Sequence, residues 1–218
     1  MKHHSFAGIC LMIASLILPT LTQANTVQGN KDHPLIGPYP GTKIVNHLIS
    51  DYDEAIIPLE AADKNYELGK HIKVEGKITS NVYSSEEKFS TLKVIRSYER
   101  SMNDSGFETL FQCAAEGCGN FLLRSVFKSA SRKKHVIGLD DWGNYCCEKD
   151  WRLIVGKKTE KNKNIYGMVI AVYPNNHRNP LVFIEVVEQE AFQAAKISNP
   201  LESLSADIEK KGSAALNS

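Results

Sequence analysis

Cys113 and Cys118 enclose Ala114-Ala115-Glu116-Gly117, and Cys146 adjoins Cys147, so thiol chemistry is the first chemistry this chain could perform. A four-residue insert containing a glycine lets two sulfurs close a small loop. The Cys113, Cys118 pair reads as a disulfide pinning one element to the next, or else as a reactive dithiol. A bond across so short a loop is worth about 2 kcal/mol. The spacing is not Cys-x-x-Cys, which gives thioredoxin-like chemistry no support. Between Cys146 and Cys147 a direct bond needs a strained ring and would be redox-labile. Free buried thiols, or cross-links to Cys113 and Cys118, are simpler; a second disulfide and a redox pair both stay open.

Other chemistry finds less to work with. His33, His47, His71, His135 and His177 are scattered, with no His-x3-His or paired Cys-x2-Cys spacing, so neither a metal nor any other cofactor is expected. No Gly-x-Ser-x-Gly elbow occurs, and Ser, His and Asp show no catalytic arrangement. Asp140-Asp141-Trp142-Gly143 offers two carboxylates, but adjacent side chains point apart and a capped turn explains them. Lys157, Lys158, Lys161 and Lys163 crowd one segment, where a solvated hairpin is simpler than an anion site. Tyr39, Tyr52, Trp142, Tyr145 and Trp151 could line a groove, although packing is the usual role of scattered aromatics. No catalytic residue is assigned, and the expectation is a protein that is not an enzyme.

The elements that would position these residues begin after an address. Lys2, the apolar run Phe6–Leu18, Pro19 and Thr22-Gln23-Ala24 have the order of a secretory signal peptide, 1–24, with cleavage near Ala24. Cys10 would leave with it. The run is short for a membrane span, and no later stretch approaches about 20 apolar residues, so no transmembrane segment is expected after cleavage. An even number of remaining cysteines in an exported chain points to disulfides. The chain has 26 Lys and Arg against 25 Asp and Glu, a balance that argues against nucleic acid as a partner.

Residues 25–43 are rich in glycine and proline and read as an extended arm. Ile44–Ile49 and Ala55–Leu59 read as short strands separated by an acidic turn, Asp51-Tyr52-Asp53-Glu54. In 71–83, Ile72, Val74, Ile78 and Val82 alternate with polar residues as in a half-buried strand, with Gly76 a candidate bulge. Phe89, Leu92, Ile95, Tyr98 and Met102 predict one buried stripe on a helix from about Glu86 to Ser105, capped by Ser84 or Ser85 and ended by Gly106. A strand over Phe107–Phe111 and a helix near 119–130 follow. Trp151–Lys158, Ile165–Tyr173 and Leu181–Val187 predict three more strands, with turns at 161–164 and 174–177. Ile165–Tyr173 is apolar on both faces and belongs in the middle of a sheet. The expected fold is α+β, an antiparallel sheet with about two helices over 44–188, then a polar tail, 189–218, with a short helix near Leu201–Lys211.

DHPLIGPYPGTKI (32–44), SYERSMNDSGFETLFQCAAEGCG (97–119) and PLVFIEVVE (180–188) together resemble a bacterial envelope domain of no established activity, which often precedes an OmpA-like peptidoglycan-binding domain. The tail SADIEKKGSAALNS resembles the linker where that second domain would start, so direct peptidoglycan binding is not expected to carry over. The resemblance implies a periplasmic location, associated with the outer membrane or with another envelope protein as partner. The resulting expectation is a non-catalytic adaptor that uses its Pro-rich arm, through Leu35, Ile36 and Tyr39, its acidic turn, or an exposed sheet edge. The alternative is a thiol-dependent redox protein working through Cys146 and Cys147.

Overall fold

Alternating and doubly apolar strands in this order close into one sheet with a helix on each face. The structure, a computed structural model, describes residues 32–62, 67–119, 122–128, 150–173, 179–195 and 208–210. Its elements are β1 (Lys43–Pro58), β2 (His71–Ser84), α1 (Thr91–Asp104), β3 (Glu108–Ala114), a 3-10 turn (Ala115–Cys118), α2 (Leu122–Lys128), β4 (Asp150–Glu160), β5 (Lys163–Tyr173) and β6 (Leu181–Gln189). The sheet order is β1-β2-β6-β5-β4-β3, and every neighbouring pair is antiparallel. The fold is α+β, as expected from the sequence.

β5 lies inside the sheet and shows why a strand there must be apolar on both sides. Tyr166, Met168, Ile170 and Val172 pack with Leu122, Leu123, Val126 and Phe127 of α2 on one face. Ile165, Val169 and Ala171 pack with Val94, Ile95, Tyr98 and Met102 of α1 on the other. Its hairpin with β4 turns on Lys161 and Asn162 alone, both at positive φ (49° and 64°), the two-residue turn whose twist suits flanking strands. Lys163 and Asn164, expected in that turn, already belong to β5.

Two expectations are corrected. The two short strands around the acidic segment are one strand, β1. Between Ser50, opposite Ile78, and Asp53, opposite Gly76, two residues face one, so Asp51-Tyr52 form a bulge rather than a chain reversal. A bulge absorbs the break in alternation while leaving the acidic side chains at the sheet edge, where Glu54 pairs with Lys73 at 3.1 Å. The extra residue sits on β1 and not at Gly76. Gly76 instead permits close approach of β6, since a Cβ there would lie 2.1 Å from the Glu188 carbonyl oxygen.

The helix starts later and faces differently from the sequence reading. Ser90 is its N-cap, accepting from the Lys93 N–H, while Ser85 accepts from the Glu87 N–H one turn earlier. The buried stripe is Thr91, Val94, Ile95, Tyr98 and Met102; Leu92 is 45% exposed. At roughly 100° per residue, Val94 completes the stripe and Leu92 falls well to its side, although its spacing of three from Ile95 fits either arrangement. The C-terminus is as expected. Gly106 takes φ +85°, its N–H donates to Asn103, and the Phe107 N–H reaches back to Met102, a Schellman end.

Residues 32–41 do not stand away from the sheet but lie on the α1 face, with Ile36 only 2% exposed and Leu35 and Tyr39 packed beside it. Gly156 and Gly167 face each other across β4 and β5 and leave a notch in the sheet. A Cβ on Gly167 would come within 2.3 Å of Ile36 Cδ1, and one on Gly156 within 2.7 Å of Met102 Cε. Ile36 is thereby part of the core, with Leu35 and Tyr39 packed at its margin.

Of the other expected elements, α2 falls within 119–130. The 174–177 turn lies outside the described residues, as does most of the tail helix. Residues 208–210 are helical.

Candidate functional site

Cys113 and Cys118 are bonded in the structure, at an Sγ–Sγ distance of 2.07 Å. The bond ties the end of β3 to the 3-10 turn. There the Cys118 carbonyl accepts from the Ala62 N–H at 2.9 Å. Cys146, Cys147, His135, His177, Asp140, Asp141, Trp142 and Tyr145 lie outside the described residues. Of Leu35, Ile36 and Tyr39, read from sequence as a surface for a partner, Ile36 is buried and Leu35 and Tyr39 are half-buried beside it. Ile36 fills the glycine notch, and Tyr39 meets Phe89 edge-on and Tyr98 at a tilt, at 5.9 and 6.5 Å between ring centroids. Tyr98 also donates from its hydroxyl to the Gly37 carbonyl at 3.0 Å, which holds the arm down.

The lysine cluster belongs to the β4–β5 hairpin. Lys157 stands over the Tyr166 ring, Lys158 pairs with Glu160, and Lys163 pairs with Glu190 at 2.7 Å. Trp151 is buried in the α2-side core, and Tyr52 stacks on Phe192. Among the described residues no three His, Cys, Asp or Glu side chains gather as a metal site. Among them, too, no helix is long and apolar enough to cross a membrane.

Polar groups that the sequence leaves scattered come together where the arm crosses β2. Asp32 accepts from the Tyr83 hydroxyl at 2.7 Å, Tyr83 accepts from the Asn81 amide at 2.9 Å, and Asn81 Oδ1 meets His47 Nδ1 at 2.5 Å. The carboxylate fixes the direction of this chain, because it can only accept. Tyr83 must donate to it and so receives Asn81 N–H, which leaves Asn81 Oδ1 to accept from His47 Nδ1–H. His47 therefore carries a proton on Nδ1. Tyr83 is 1% exposed, and burial first, then Asp32, raises its pKa far above the ordinary value, so it stays a donor.

His33 anchors the same crossing. Its Nδ1 accepts from the Leu35 N–H at 3.2 Å, so its proton sits on Nε2, 3.5 Å from Glu188 Oε1. Burial lowers its pKa below the ordinary 6.5, with Lys77 acting the same way and Glu188 opposing both. The folded state thus prefers the neutral ring, and the unfolded chain binds the extra proton first. This contribution to stability is whole above pH 6.5 and is lost as pH falls from there through the lowered folded-state value. Denaturation midpoints of the wild type should drop across that window. His33→Asn, which keeps an acceptor for Leu35 without titrating, should show a shallower drop, and equal slopes would contradict the assignment.

Beyond His47 the sheet ends at β1. This strand is buried at Ala55, Ile57 and Pro58 but open before them, and its outer half carries exposed Ile44, Val45 (59%) and Ile49 (49%). Ile44 and Ile49 share with His47 the face that holds the arm, since their β2 partners are Tyr83, Thr79 and Asn81. A strand at a sheet edge offers backbone donors and acceptors to another extended chain, and apolar side chains beside them favour occupancy. No family model matches this chain, and no curated protein matches it either.

Proposed function

We propose that this protein is an exported binding module of the bacterial cell envelope, without catalysis of its own, that takes an extended protein segment along the outer edge of β1. The observation that carries the reading is the exposure of Ile44, Val45 and Ile49 on an edge strand, β1. Of the three surfaces considered from sequence, the arm packs Ile36 into the core and the acidic segment is a bulge within β1, which favours the edge of that strand. The order of basic start, apolar run and small residues at 1–24, and the resemblance to an envelope domain, support the periplasmic address. Balanced charge favours a protein contact over general attraction to an anionic polymer.

Replacing Val45 and Ile49 together by glutamate should lower the yield of protein adducts cross-linked through the β1 edge in the envelope at least tenfold. Its denaturation midpoint should hardly move, because both side chains already face solvent. Leu92→Glu, an equally exposed apolar position on α1, should leave those adducts intact. The purified processed protein should not sediment saturably with isolated sacculi. Undiminished adducts in the edge variant, or saturable sedimentation with sacculi, would sink the reading.

A further inference from the structure

Resting on that reading of the edge, we infer that the segment received by β1 is β1 of a second copy of this chain, paired antiparallel about a two-fold axis through Leu48.

Two bulges frame the open half of β1. β1 is interrupted between Ile44 and Asn46, at Val45, and again between Ser50 and Asp53, at Asp51-Tyr52. The regular run between them is Asn46–Ser50, and Leu48 is its middle residue. Side chains directly opposite each other in a sheet lie on the same face, so an antiparallel self-pair can be centred only on a residue. Centred on Leu48, the pairing sets His47 against Ile49 of the second copy and Asn46 against Ser50. Each Val45 bulge then meets an Asp51 bulge, and Lys43 stands opposite Asp53. The irregularities are matched about the centre, so neither copy's bulge disrupts a regular stretch of the other.

Charge follows the same symmetry. In the open half of β1, Lys43 lies at one end, and Asp51 and Asp53 at the other. A parallel pairing would stack like charges, whereas the antiparallel pairing makes each end complementary. Lys43 is free to change partners at little cost: its present ion pair with Glu86 is about 80% exposed on both sides, the kind that contributes little. The bulges also end the ladder in both directions, giving a closed pair instead of an open fibre. A five-residue ladder belongs to the small interfaces, below about 1,200 Å², so association should depend on concentration.

The test is oxidative cross-linking of the processed full-length chain carrying Leu48→Cys or Ile44→Cys, compared with the wild type and read on non-reducing gels and by peptide mapping. On the axis, two copies of residue 48 come within disulfide reach, about 4.5–5.5 Å between Cα atoms; two copies of residue 44 lie several residues apart. Leu48→Cys should give a dimer bridged through position 48, and Ile44→Cys should not. In sedimentation velocity, Lys43→Glu should weaken self-association at least threefold, and adding Asp53→Lys should restore it. No cross-link at 48 combined with a concentration-independent monomer overturns the inference. If β1 then still cross-links to a different envelope protein, the edge reading survives alone; if β1 contacts nothing, both fall together.

Discussion

Ile36→Ala is expected to cost about 2–5 kcal/mol, the range for truncating a buried isoleucine, although the residue belongs to a segment that reads from sequence as a loose arm. Its side chain is 2% exposed and sits in the notch left by Gly167, with Met102 and Phe107 around it. Filling the notch from the other side should act through the same contact. Gly167→Ala should destabilise by about 1–3 kcal/mol through overpacking. Combined with Ile36→Ala, the loss should be clearly smaller than the sum, because the new methyl occupies space the isoleucine has vacated. Chemical denaturation of the two single variants and the double variant measures this. Additive losses, or a cost for Ile36→Ala below about 0.5 kcal/mol, would mean that the arm is not part of the folded core.

The second large effect separates two leucine-sized residues one turn apart on α1. Ile95 is fully buried against β4, β5 and the arm, and Leu92 is 45% exposed. Ile95→Ala should cost about 2–5 kcal/mol, and Leu92→Ala less than about 0.5 kcal/mol, as expected away from packed positions. The start of the helix is held separately: the Thr91 hydroxyl donates to the Asp150 carboxylate at the head of β4. Comparable costs at both positions would show that the helix is rotated about its axis from the arrangement described here.

Leu92 illustrates why sequence periodicity locates a helix better than it orients one. Phe89, Leu92 and Ile95 repeat at intervals of three, which drifts around a helix by roughly 60° per step, so a stripe extended backward from Ile95 wanders off the buried face. Phe89 does pack on the α1-side core, but from the segment before the helix. The strands were more legible, because their signal is local. β5, apolar on both sides, could only sit inside the sheet, and the alternation in β2 placed Val74, Ile78 and Val82 together.

The polar crossing was not legible at all. Asp32 and Tyr83 are 51 residues apart, and nothing local in either states that the arm returns across β2. In the sequence His33 and His47 are only scattered histidines without metal-ligand spacing. Their actual partners, Glu188 and Asn81, are set by strand register, which depends on how distant segments pair. One signal for the docked arm was present in the sequence: Gly156 and Gly167 each interrupt an otherwise bulky strand, a pattern that marks close approach by another segment. The β1 edge was similarly hidden by the acidic Asp51-Tyr52-Asp53-Glu54, which looks like a turn until β2 is seen running past it.

The central claim is that β1 is the surface by which this protein makes its contact in the envelope. Placing a photo-activated cross-linking residue at Ile49 in living cells tests it most directly, with Leu92 as an equally exposed apolar control on α1. A discrete protein adduct is expected at position 49 and none at position 92. Val45→Glu in the same chain should abolish the adduct. An adduct at 92 without one at 49, or no adduct at either position in cells that export and process the protein, would contradict it.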